Sequence, residues 1–269
     1  MVATDLDGTL LRADGTVSDR TRAALHAADH AGLLIAFVTG RPPRWLDAII
    51  DDTGHLGVAV GANGAVLYDL AAEQVVSEHP IDVPALHALT RDLRAEFPAV
   101  SFAIEYGDRF AAEPGYVHDW AINPRHDRHG RPVSAPQIGS LAEIVSGPVL
   151  KLLAKDRAAD VDAFLNAADE LLAGRASVTH SSNFGLLEIA APGVTKASGL
   201  AELAARSGIE PTEVVAIGDM PNDVPMLQWA GTSYAVGNAH PAAQAVADAV
   251  VGSNEDDAVA LVIESLLSP

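Results

Sequence analysis

The 269-residue chain contains no cysteine. That single absence removes thiolate nucleophiles, thiolate metal ligands and disulfides, and it fits a reducing compartment. Positive charge is also scarce: 17 Lys and Arg stand against 36 Asp and Glu, a formal net charge of −19. Phosphate-backbone binding needs basic stripes, so neither nucleic acid nor an anionic membrane surface is an expected partner. No apolar run approaches the length needed to cross a bilayer. The acids Asp5 and Asp7 follow Met1 too closely for a basic segment and an apolar leader core. Internal repeats and low-complexity tracts are lacking as well. The chain is therefore expected to be soluble and cytoplasmic, as a monomer or homodimer.

What is present is a large apolar fraction, 49% of residues, enough for one large α/β domain or two moderate ones. Val2 to Thr4 is a short run of small and β-branched residues that ends in Asp5-Leu6-Asp7-Gly8-Thr9. Ser18 then caps an Ala-rich helix stopped at Gly32. Leu33 to Val38 is a continuous apolar run, as a strand buried on both faces requires, and it ends in Thr39-Gly40-Arg41-Pro42-Pro43. A helix opened by the prolines, and two strands flanking Gly61-Ala62-Asn63-Gly64, follow; Asn-Gly signals a hairpin, and this segment reads as a turn. Strand, helix, strand, helix, strand predicts a parallel sheet with flanking helices.

The rhythm changes after about Asp82. Helix 85–97, strands 100–105 and 110–112, a polar stretch 115–137, helix 141–145, strand 149–154, helix 159–172 and strands 176–180 and 186–190 predict an open-faced sheet with helices on one side. Thereafter the βα alternation resumes, with helix 196–207, strand 214–217, helix 222–229 and strand 233–236. The expected organisation is a doubly wound, Rossmann-like α/β core of residues 1–82 and 191–269, with an inserted α+β cap domain at 83–190.

Ligands in open parallel sheets bind beyond the carboxyl ends of the strands, so three polar signatures converge: Asp5 to Thr9, Thr39 to Arg41, and Gly218-Asp219-Met220-Pro221-Asn222-Asp223. Taken singly, each could be an acidic or polar turn. Together, Asp5 and Asp219 can bind a hard cation through oxygen, which suits Mg²⁺, with Asp223 joining directly or through water. Thr39 offers a hydroxyl to a phosphoryl oxygen. Lys196, opening a helix, can neutralise further negative charge.

These motifs, DLDGTLL at 5–11, TGR at 39–41, Lys196 and GDMPND at 218–223, resemble the haloacid dehalogenase-like hydrolase superfamily. The insert, GANGA at 61–65, the stretch 187–200 and AVGNA at 235–239 are similar to its Cof-like phosphatases. The resemblance implies a Mg²⁺-dependent phosphatase of small phosphorylated metabolites, most naturally sugar phosphates. Asp5 would attack phosphorus and form an aspartyl-phosphate; Asp7 would protonate the leaving group, then activate water, with its main-chain carbonyl on the metal. On this resemblance the pKa of Asp7 should be raised, while Asp5, held by Mg²⁺, should stay ionised. Thr39, Gly40, Arg41, Lys196 and Asn222 would hold substrate, and Asp5, Asp7, Asp219 and Asp223 the metal. The alternatives are a phosphomutase, with Arg91, Arg94, Arg109 and Lys151 available for a second phosphate, and a non-catalytic phosphometabolite-binding regulator. Tyr106, Arg109, Trp120, His180 and Asn183 are candidate cap contacts.

Overall fold

A computed structural model describes residues 1–55, 57–116, 129, 135–182 and 185–268. The candidate cap contacts Trp120 and Asn183, and most of the polar stretch 115–137, fall outside that range. The described chain divides into two compact units: residues 1–40, 48–77 and 195–269, and residues 41–47 and 78–194.

In the first unit an eight-stranded sheet is centred on β1 (Val2–Thr4), whose three side chains are all buried. Strands β2 (Ile35–Val38), β3 (Val58–Gly61), β4 (Val66–Asp69) and β5 (Gln74–Glu78) extend the sheet on one side of it. On the other lie strands Val215–Gly218, Thr232–Ala235 and Ala249–Val250. The central pairings are parallel, with Thr4 opposite both Phe37 and Ile217. Those matched registers bring the ends of three strands to one level. Between β3 and β4 the pairing is antiparallel, the hairpin that Asn-Gly predicts.

The first helix, α1 (Asp19–His30), begins where Ser18 accepts the Thr21 amide at 3.0 Å and stops at Gly32, whose φ of +80° a side chain would resist. Helix α2 spans Asp47–Thr53.

The second unit holds α3 (Val83–Glu96), β6 (Ser101–Glu105), β7 (Phe110–Ala112), β8 (Gln137–Ile138), α4 (Leu141–Ile144), β9 (Lys151–Lys155), α5 (Val161–Leu172), β10 (Ser177–Thr179) and β11 (Leu186–Ala190). Its six-stranded sheet runs β10-β11-β9-β6-β7-β8, antiparallel except at β7–β8. Alternation sorts the side chains. Phe102, Ile104, Leu152, Ala154, Leu187 and Ile189 pack with Leu86, Leu89, Leu93 and Phe164 of the helices, forming one buried core. The alternate residues Ala103, Glu105, Lys151, Leu153 and Glu188 occupy the opposite face.

That opposite face is charged and yet buried. Glu105 is 2% exposed and Lys151 4%, and Lys151 donates to Glu188 across the strands. The segment 41–47 joins them, because the Arg44 guanidinium grips both Glu105 oxygens, Nη2 to Oε2 at 3.1 Å, and donates to Gly107 O at 3.1 Å. Burial pushes the Glu105 carboxyl up, and the charge of Arg44 opposes the shift. Breaking such a pair from one side leaves an uncompensated buried charge. Arg44→Met should therefore cost the second unit about 3–5 kcal/mol in urea unfolding. Arg44→Met with Glu105→Gln should recover much of it, and a single-variant loss under about 1 kcal/mol would refute the account.

Candidate active site

Asp5 lies immediately beyond β1. Its amide donates to Ile217 O at 3.0 Å, so the neighbouring strand, β12 (Val215–Gly218), fixes the residue just as the chain leaves the sheet. Leu6 turns into the core, and its carbonyl receives the amides of Thr9 at 3.3 Å and Leu11 at 2.8 Å. This tight loop requires Gly8, whose φ is +78° and where a Cβ would stand 2.4 Å from Asp219 Oδ2.

The second carboxylate comes from the end of β12. Asp219 Oδ1 accepts the Thr9 hydroxyl at 2.9 Å, linking the first and last motifs. Asp223, one turn further on, receives the amides of Asp219 (3.0 Å) and Met220 (2.9 Å) on Oδ2. Its Oδ1 accepts Lys196 Nζ at 2.6 Å. Lys196 is the first residue of α6 (Lys196–Arg206), capped by Thr195, and its ammonium also donates to Asp5 Oδ1 at 2.7 Å.

A helix N-terminus is the wrong end for a cation, and Lys196 is only 1% exposed. Burial works against its charge, but Asp223 and Asp5 outweigh that cost and hold the ammonium raised. Asp5 is itself 4% exposed, and burial raises its carboxyl well above the usual range, with Lys196 opposing and Asp223, Asp219 and Asp7 adding. Burial likewise pushes Asp219 up to about 7, with Asp223 adding to the shift, against Lys196, Thr9 and a hydrogen bond shared with Asp5. The lysine charge stands, and burial disfavours the ionised forms of Asp5 and Asp219.

Ligand oxygens of Asp5, Asp219 and Asp223 lie within 4.8 Å of one another. Three carboxylates against one ammonium leave a formal excess of two negative charges, and every donor is oxygen, so a hard divalent cation fits. Both Asp223 oxygens already accept hydrogen bonds, which favours its contact through water over a direct one.

Asp7 contributes no carboxylate to this group and is exposed. In the cation-free chain the carboxyl in the low-dielectric interior is that of Asp5. Thr39 is buried just beyond β2, its amide taken by Val60 O at 2.8 Å. Gly40 follows in the first unit, whereas Arg41 belongs to the second. Asn222 is buried between Asp219 and Asp223.

Several candidate cap contacts have partners within the second unit. Tyr106 donates to Ile144 O at 2.8 Å, Arg109 lies 4.2 Å over the Tyr106 ring, and buried His180 pairs with Asp162 at 3.0 Å. Sequence reasoning missed Asn238, whose amide donates to Gly8 O at 2.8 Å, and Asn254, which donates to Leu11 O at 2.8 Å. AVGNA was the available signal for the first; for Asn254 there was none.

A model of the haloacid dehalogenase-like hydrolase family matches residues 2–263, and the chain belongs to that family, in its Cof-like branch, as a phosphatase. Among curated relatives, it is 28% identical to the 5-amino-6-(5-phospho-D-ribitylamino)uracil phosphatase YwtE of Bacillus subtilis, over 99% of this chain and 98% of that one. It is 29% identical to the pyridoxal phosphate phosphatase YbhA of Escherichia coli, again over 99% and 98%. The crystal structure of the subclass IIB sugar phosphatase BT4131 superposes with a TM-score of 0.80 at 21% identity, covering 98% of each chain, a likeness of fold.

A carboxyl near 7 in the fold and 3.8 outside it supports the folded state below 3.8 and withdraws that support as pH rises through about 7. Asp219→Asn is neutral at every pH. In chelator it should match the wild type near pH 4 and exceed its Tm by several degrees near pH 8; equal Tm at pH 8 would contradict the assignment.

Proposed function

We propose that the chain is a Mg²⁺-dependent phosphatase that hydrolyses small phosphorylated metabolites, foremost sugar phosphates, through an aspartyl-phosphate. The observation that carries this reading is the Lys196 ammonium shared by Asp5 and Asp223 beside Asp219. In this reading residues 83–190 form an inserted specificity domain, and 1–82 with 191–269 the catalytic core.

Asp5, Asp219 and the main-chain carbonyl of Asp7 would hold the cation, with Asp223 contributing through water. A bound Mg²⁺ would screen the charge between Asp5 and the incoming phosphoryl group and keep Asp5 ionised. Lys196 draws one Asp5 oxygen to itself, leaving the other to attack phosphorus. The bond from phosphorus to the ester oxygen breaks, and Asp7 protonates the departing alcohol. Having given up its proton, Asp7 is the carboxylate that removes one from the hydrolytic water, whose oxygen attacks phosphorus, breaks the bond to Asp5 and releases inorganic phosphate; its exposure suits it to meet both leaving group and water. Thr39, Gly40, Arg41, Lys196 and Asn222 orient the phosphoryl oxygens.

The two curated relatives named above act, by name, on small phosphorylated metabolites, which supports the substrate class. Cations considered for a mutase's second phosphate are engaged: Arg91 with Asp92, Arg94 with Glu113, Arg109 with Ser146 and Lys151 with Glu188. Hydrolysis is therefore preferred to phosphoryl return. Asp5→Asn should abolish release of p-nitrophenol from p-nitrophenyl phosphate while leaving the fold intact, and appreciable residual turnover would remove it as nucleophile. Chelator should silence the enzyme and Mg²⁺ restore it; activity indifferent to both would sink the metal assignment. Across a panel of phosphorylated metabolites, inorganic phosphate should accumulate, and sugar phosphates should lead. Transfer without accumulation would indicate a mutase.

A further inference from the structure

The turn between β3 and β4 is more than a hairpin connection. Ala62, Asn63 and Gly64 have successive φ values of +49°, +57° and +96°. Such a run is strained for alanine and best tolerated by asparagine and glycine. It persists because of what the turn touches.

Asn63 is 4% exposed, and its amide donates to Thr39 O at 3.0 Å. Thr39 is thereby held on both sides of its peptide, since its own amide is taken by Val60. The Asn63 side-chain Oδ1 accepts Asn222 Nδ2 at 3.1 Å, 159 residues away in sequence. Gly64 lies bare against the start of α6: a Cβ there would come within 2.0 Å of Thr195 O. Across this contact a Cβ on Gly199 would stand 2.8 Å from Gly64 Cα. One turn thus meets the segments that carry Thr39, Asn222 and Lys196.

Asn222 supplies an independent observation. It is 4% exposed, and its Oδ1 has no hydrogen-bond partner among the described residues. Buried polar atoms are almost always satisfied, so an acceptor left over marks a side chain kept for a ligand. Its orientation is not free, because flipping the amide would set two carboxamide oxygens face to face at Asn63.

We infer that Asn63 is a positioning residue, which fixes the Asn222 carboxamide and the Thr39 main chain for a bound phosphoryl group. This rests on the reading of Thr39 and Asn222 as groups that hold phosphoryl oxygens. Asn63→Gly keeps the left-handed backbone and removes only the carboxamide. It should lower kcat/KM for p-nitrophenyl phosphate and weaken inorganic phosphate binding by about tenfold, the worth of one buried hydrogen bond, with Tm lowered by a few degrees and the fold retained. Asn222→Ala should lose a similar factor, and the double variant no more than the larger single loss. In ¹H–¹⁵N spectra, the Asn222 side-chain amide signals, assigned by their loss in Asn222→Ala, should move in Asn63→Gly. Multiplying losses, an Asn63→Gly effect within twofold, or unmoved amide signals would overturn the inference. If the wild type neither binds phosphate nor hydrolyses the ester, the phosphatase reading fails instead, and the amide signals alone decide whether Asn63 orients Asn222.

Discussion

The Lys196 ammonium is the constraint on which the site depends. It is buried, it stands at the positive end of a helix, and both placements disfavour its charge. Only the two carboxylates at 2.7 and 2.6 Å make the position tenable. Those carboxylates come from either side of the lysine in sequence, 191 residues before it and 27 after it. The ion pairs thus fasten the first strand to the resumed half of the domain. A neutral side chain at position 196 would leave three acids crowded together with no cation of the chain's own.

The sheet makes that meeting possible. Placing β1 at the centre, parallel to both neighbours, aligns Thr4 with Phe37 and Ile217 and delivers Asp5, Thr39 and Asp219 to a common edge. Strand ends alone would leave these residues on flexible loops. Extra bonds remove that freedom: Thr9 holds Asp219, two backbone amides hold Asp223, and Asn63 holds Thr39. Preorganisation of this sort is inexpensive, since each bond also satisfies a buried polar group that would otherwise be left unpaired.

This division explains what the sequence disclosed. The alternation of strands and helices, the buried apolar runs and the polar residue at each strand end are local signals, and they predicted the doubly wound sheet and the meeting of Asp5, Asp219 and Lys196. Strands β8 and Ala249–Val250 escaped notice because each has only two residues, and β5 because its side chains, Val75 among them, are mostly exposed and show no buried alternation. Pairs of distant residues were equally illegible. Nothing in the neighbourhood of Arg44 announces Glu105, and Asn-Gly at 63–64 announces a turn without hinting at Asn222. The burial of Asp5 and the exposure of Asp7 were illegible for a related reason. Their spacing is symmetrical in sequence, whereas burial, which raises the Asp5 carboxyl, is decided by the packing of Leu6 and β12 around it.

Charge remains to be reconciled, since a chain of net −19 is to take an anionic substrate. Screening confines most of that surface field to a distance of about 8–10 Å, so what meets the phosphoryl group is the local balance. With Asp5, Asp219 and Asp223 ionised and Lys196 charged, that balance is −2, repulsive to any phosphate. The same crowding and burial raise the Asp5 and Asp219 carboxyls in the cation-free chain, which works against the nucleophile. A divalent ion relieves it while leaving Asp5 ionised. The acidic cluster therefore makes chemical sense only as half of a site, and a phosphorylated metabolite is a better occupant of the completed half than of the bare one.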